Sequence, residues 1–140
     1  MKNLLYLALF AMIFVTACGD DDEGSGGAEG DLTITLTWDQ ADADLDLGLA
    51  APGGVEISDG DAEHSGDILQ GPGEESITFM NTAQDGTYTA VIVHFDGAGE
   101  VPYTLVIESA NTTRTFNETI SSNSFVDNFM FVKSGGTLTF

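Results

Sequence analysis

Four aspartates crowd into eight residues, Asp39, Asp42, Asp44 and Asp46, within Trp38-Asp39-Gln40-Ala41-Asp42-Ala43-Asp44-Leu45-Asp46-Leu47-Gly48-Leu49. Leu45, Leu47 and Leu49 alternate with Asp44 and Asp46, and strand side chains point to opposite faces in turn. The leucines therefore go to a core and the carboxylates to the other side. With no Lys or Arg nearby, like charges at that spacing repel, and a hard cation with oxygen ligands relieves the repulsion. Ca²⁺ takes six to eight oxygens, so Asp67 and Glu74 from later loops, with Glu75 beside them, join Asp39, Asp42, Asp44 and Asp46 as candidate ligands. The pattern is not an EF-hand, because Leu47 falls where Gly is required and Gly53 where the closing Glu belongs. Asp59, Asp61 and Glu63 form a second acidic group. The plainer reading of all these acids is that they cap strands, bond turn amides or face solvent.

Catalytic chemistry finds less support. The two histidines, His64 and His94, have no spacing that suggests a zinc site, and His64 next to Ser65 is not a triad, which the fold assembles from distant residues. The chain is expected not to be an enzyme. Trp38, Tyr88 and Tyr103 are candidates for stacking on a glycan, although the alternation around Trp38 favours core packing.

The elements that must hold these residues are strands. Leu32, Ile34, Leu36 and Trp38 alternate with Thr33, Thr35 and Thr37, a half-buried strand. A second strand covers 45–50 and stops at the turn Pro52-Gly53-Gly54. Shorter strands follow at 55–58 and 76–79, and the polar stretch 59–66 reads as a loop with a brief pairing near 67–69. Thr87 to Phe95 is apolar on both faces, as a central strand would be. Strands at 101–108, 113–120, 125–133 and 137–140 complete the set, with Pro102 early enough in its strand to avoid a ladder position. The fold class is all-β, a single antiparallel sandwich, Ig-like or jelly-roll-like, of about eight or nine strands.

Of 140 residues, 23 are Asp or Glu and 3 are Lys or Arg, a formal net charge of −20. Nucleic acid and anionic membrane surfaces are excluded as partners, since both require a basic patch. Cations, basic protein surfaces and neutral glycans remain. Acidity also keeps an exported protein soluble, which would need no ligand at all.

The N-terminal segment defines the setting. Lys2 precedes the apolar run 4–15, which is shorter than the ~20 residues a membrane span needs and has the shape of a secretory signal peptide. Val15-Thr16-Ala17-Cys18 resembles the lipobox of bacterial lipoproteins. The resemblance implies removal of 1–17 and attachment of diacylglycerol and an N-acyl chain to Cys18, the only cysteine. Several acyl chains anchor stably where one would not. Residues 18–30, rich in Gly, Asp and Glu, form a flexible self-repelling tether, and 31–140 form the domain. An acidic run directly after the cysteine also resembles the export signal of surface lipoproteins in the Bacteroidetes group. The expected location is the bacterial envelope, as an outer-membrane lipoprotein, with the leaflet left open.

The domain carries its own resemblance. Trp38-Asp39, then Asp44-Leu45-Asp46-Leu47, then Pro52-Gly53-Gly54 resembles the opening of secreted bacterial β-sandwich modules related to the pre-peptidase C-terminal domains of exported proteases. Ser65-Gly66-Asp67, Gly71-Pro72-Gly73-Glu74 and Gly86-Thr87-Tyr88 continue the likeness to about Ile120. Gly73 separates Pro72 from Glu74 where the pattern runs Pro-Glu directly, and Gly48-Leu49 stands where His-Val is common. The resemblance implies an accessory or adhesion-type module with no catalysis of its own. Three functions are thus expected in competition: a Ca²⁺-stabilised module recognising protein or glycan, a passive structural envelope component, and an accessory domain of a hydrolase or protease system.

Overall fold

A computed structural model describes residues 32–56, 62–65, 71–79, 83–121 and 125–140. The leader, Cys18, the tether and Asp67 lie outside the described residues, as do Asp59, Asp61 and the pairing expected near 67–69. Among the described residues there are ten strands and no helix: β1 (Leu32–Trp38), β2 (Asp44–Ala51), β3 (Val55–Glu56), β4 (Ala62–Ser65), β5 (Gly73–Phe79), β6 (Gly86–Asp96), β7 (Val101–Ser109), β8 (Thr112–Ile120), β9 (Val126–Ser134) and β10 (Thr137–Thr139). They form two five-stranded sheets in the orders β4-β5-β1-β7-β8 and β10-β9-β6-β2-β3. Every pairing is antiparallel. The fold is an all-β sandwich.

Alternation builds it. In β1, Leu32, Ile34, Leu36 and Trp38 are buried while the intervening threonines are half-buried. Leu45, Leu47 and Leu49 of β2 face them from the second sheet, with Tyr88, Ala90 and Ile92 of β6 alongside. Ile77 of β5 and Leu105 and Ile107 of β7 complete the opposite wall. A fully buried Leu or Ile of this kind contributes roughly 1.5–3 kcal/mol, so these rows hold the layers together.

Four details depart from the expectations drawn from sequence. Ala62–Ser65 is a strand, not a loop: its backbone pairs with Ser76–Phe79 at the sheet edge, so the neighbouring strand makes it. Pro102 does take a register position, opposite Thr119, beyond the point where β1 ends at Trp38↔Tyr103. Tyr88 and Tyr103 are core residues and not exposed stacking platforms. β6 is central, between β9 and β2, yet only its Tyr88 face is covered; Phe95, Met130 and Val132 of the second sheet's outer face are exposed.

Candidate functional site

The loop from Asp39 to Ala43 carries the chain from one sheet to the other, and the fold clamps it. Trp38 is buried, and its Nε1–H donates to the Ala43 carbonyl at 3.4 Å, which also accepts from the Gly71 N–H at 3.0 Å. The indole lies flat against Gly73, where a Cβ would meet its ring at 2.5 Å. That close approach explains the glycine inserted between Pro72 and Glu74. On the other side the loop rests on Gly97, whose φ of +115° suits glycine and whose missing Cβ leaves room for the Asp42 carbonyl. Gln40 Nε2 donates to the Ala98 carbonyl at 3.2 Å.

The candidate acids are distributed by this framework. Asp39 and Asp42 are exposed. Asp44 is buried at a bulge, opposite Asp96 of β6, and half-buried Asp46 sits opposite Val93 on the outer face of the second sheet. Glu74 is exposed and opposite Thr37, on the outer side of the first sheet. Asp46 and Glu74 thus face away from each other across sheets that stack about 10 Å apart. Among the described residues no three of His, Cys, Asp and Glu gather as they would to hold a metal ion.

Glu75 turns inward instead. Its carboxylate accepts the Leu47 N–H at 2.8 Å, bridging β5 to the side of β2 that β3 leaves uncovered. Asp85 is likewise structural. It accepts from Lys133 Nζ at 3.0 Å and from the Gly135 N–H at 2.9 Å. The Gly135 bond first, then Lys133, holds its carboxyl below the usual carboxylate range. Lys133 is almost wholly buried, so this partner relieves a cation that would otherwise be stranded.

His94 is fully buried on β6, which removes it from contact with any substrate. Its Nδ1 lies 2.6 Å from the Ser121 carbonyl. A carbonyl only accepts, so Nδ1 carries the proton, and Nε2 is buried with no partner among the described residues. The His64 backbone pairs with Ile77 in β4.

A concave feature of the described surface is an open groove of about 520 Å³ running from the end of β1 across β7 to β8. Thr37, Thr104 and Asn117 are register neighbours along it, and Thr104 Oγ1 donates to Asn117 Oδ1 at 3.0 Å. Asp39, Gln40, Glu118 and Thr119 supply further polar groups, and Pro102 an apolar rim. Tyr103 anchors the floor: its hydroxyl donates to Asp127 Oδ2 at 2.8 Å, across to the other sheet. Burial, then that bond, raises its pKa above the phenol range, so it stays neutral.

Of the sequence-derived candidates, Asp39, Trp38 and Tyr103 meet here, while Asp42, Asp44, Asp46 and Glu74 do not line the groove. Gln40, Thr104, Asn117, Glu118 and Thr119 were not singled out from sequence. They come from three separate stretches, and the Thr-x-Thr alternation they share with neighbouring strands marks only an exposed sheet face. The chain matches no protein-family model, no curated protein and no solved structure.

Proposed function

We propose that the protein is a lipid-anchored module of the bacterial envelope that acts by binding, with a hydroxyl-rich chain such as a glycan seated in the β1–β7–β8 groove. The observation that carries this reading is the groove itself. Its size falls in the range of small-ligand sites. Thr37, Thr104, Asn117, Glu118 and Thr119 stand on paired strands, so they are held in place before a ligand arrives. Amide and hydroxyl groups suit sugar hydroxyls, and Asp39 and Glu118 disfavour anionic ligands while accepting bonds from neutral or cationic ones. Cys18 carries the lipid and 18–30 the tether in the same proposal, which places the domain at a distance from the outer membrane. Ca²⁺ at the loop that carries the exposed Asp39 and Asp42 is the form of the proposal that includes a metal; Asp46 and Glu74, on opposite outer faces, do not share that site.

Titration of the purified chain against a panel of neutral oligosaccharides tests the groove. The expected result is one saturable ligand class whose affinity drops about tenfold or more in Asn117→Ala, as loss of a ligand-facing hydrogen bond predicts. No saturable binding by any glycan in the panel sinks the reading. A melting temperature raised by Ca²⁺ and lowered by EDTA supports the metal-bound form, and one that neither reagent moves removes it. Labelling with a fatty-acid analogue, present in the native chain and lost in Cys18→Ser, tests the anchor.

A further inference from the structure

Among the described residues the two sheets end in four edge strands, of which β3 has two described residues, β10 three and β4 four. Short edges are a common defence against pairing with another chain. β8 is different. It runs nine residues, keeps unbroken register with β7 from Thr112 to Ile120 and contains neither proline nor bulge. Among the described residues no strand pairs with its far side. β10 reaches it at one end, where the Leu138 N–H donates to Thr112 Oγ1, and Phe140 after β10 packs on the Phe116 ring, leaving the outer backbone edge uncovered by either. Thr113, Arg114, Thr115, Asn117, Glu118 and Thr119 are all exposed, around a half-buried Phe116.

We propose that this edge pairs antiparallel with β8 of a second copy of the chain, about a two-fold axis at Phe116. Such an axis, perpendicular to the sheet, sets residues of like face opposite each other. Centred on Phe116, it places Arg114 of each copy against Glu118 of the other, Thr115 against Asn117 and Thr113 against Thr119. No other register permitted by that axis joins the arginine to the glutamate. Opposite charges and paired β-branched residues are the favourable cross-strand combinations.

Charge supports the choice of strand. Two chains of formal charge −20 repel, so an interface between copies must use a stretch that is locally neutral. β8 is one, with Arg114 balanced by Glu118. Of the chain's three basic residues, Lys2 precedes the domain and Lys133 is buried on Asp85. Arg114 is the exposed one among the described residues, lying 5.6 Å above the Phe116 ring at the centre of the proposed axis. The seven-residue overlap from Thr113 to Thr119 gives about six to eight inter-strand backbone bonds. It joins the two five-stranded sheets into one. Because Glu118 also lines the groove, each groove gains an arginine from the partner subunit at its β8 side. The pairing stands without any assumption about the groove's ligand.

Sedimentation velocity of the full chain, in detergent micelles kept in excess over protein, reads the association. Salt at about 0.15 M screens the general repulsion beyond roughly 8 Å. The wild-type chain is expected to dimerise reversibly. Arg114→Glu and Glu118→Arg should each weaken the dimer about tenfold or more, by setting like charges opposite each other twice per interface. The double variant Arg114→Glu/Glu118→Arg should restore it. Both side chains are exposed, so far-UV circular dichroism should be the same for all four proteins. A wild-type chain that stays monomeric, or reversals that fail to weaken the dimer or to rescue one another, would overturn the proposal.

Discussion

The two long sides of the sandwich are closed by different physics. Along the side where β5 faces β2, polar bonds tie the sheets: Glu75 takes the Leu47 N–H, and the Ala43 carbonyl takes both Trp38 Nε1–H and the Gly71 N–H. Along the side where β7 and β8 face β9 and β10, aromatic rings fill most of the gap, with the Tyr103–Asp127 bond the polar tie among them. Phe116 and Phe129 lie 4.8 Å apart, Phe140 stands 5.5 Å from Phe116 and 5.8 Å from Phe131, and Tyr103 meets Phe129 edge to face at 6.4 Å. One end of that side is pinned by the two hairpin turns, through Asn111 N–H and Ser109 Oγ donating to the Gly136 carbonyl. Among the described residues no strand pairs with the outer edge of β8. Directional bonds fix register and seal a side, whereas ring packing excludes water but leaves the outer backbone of the last strand available. The groove and the free edge lie on the second kind of side, next to the strand the fold does not close.

The difference can be broken at its strongest point first. Trp38→Ala should cost about 4 kcal/mol, since it removes a buried indole that covers Gly73 and bonds Ala43. Urea unfolding followed by Tyr fluorescence measures it, and a loss below about 1 kcal/mol would mean the indole does not anchor that side. Glu75→Ala should cost about 2–3 kcal/mol, because the Leu47 N–H is left buried without its acceptor. Glu75→Gln, which keeps an oxygen in place, should recover most of that loss. Equal losses in the two variants would show that the bond is not what matters.

On the aromatic side, Phe129→Ala should cost about 2 kcal/mol, less than a fully buried ring because Phe129 is half-buried. Its larger consequence should be faster amide exchange in β9 than in β2, and exchange that rises equally in both would erase the distinction between the sides. The smallest effect concerns acid. The folded-state pKa of Asp85 lies below its unfolded value, so its stabilising contribution is complete above about pH 4 and declines as pH falls through the folded value. Asp85→Asn should therefore have a flatter acid limb in a plot of unfolding midpoint against pH. An acid limb as steep as that of the wild type would remove Asp85 from the account.

Much of the scaffold was readable residue by residue. Leu32-Thr33-Ile34-Thr35-Leu36-Thr37-Trp38 has the burial alternation that its spelling requires, and Leu45, Leu47 and Leu49 point inward with Asp46 between them on the other face. The bulge between Asp44 and Leu45 breaks the alternation, so Asp44 is buried where the sequence put it outside. Ala62-Glu63-His64-Ser65 was illegible as a strand because an edge strand is made by its neighbour's backbone, and no apolar period marks it. Glu75 looked like one more member of an acidic run. Only the β2 edge opposite it reveals a tie between sheets.

By itself the sequence determined the period-two pattern, the turn at Pro52-Gly53-Gly54 and the acidic balance, because alternation, backbone freedom and charge are properties of neighbours along the chain. The tertiary structure alone decided which carboxylates turn inward, which strands form the groove and which edge stays open. Those follow from sheet order, which brings Thr37, Thr104 and Asn117 side by side and sends Glu74 and Asp46 to opposite outer faces.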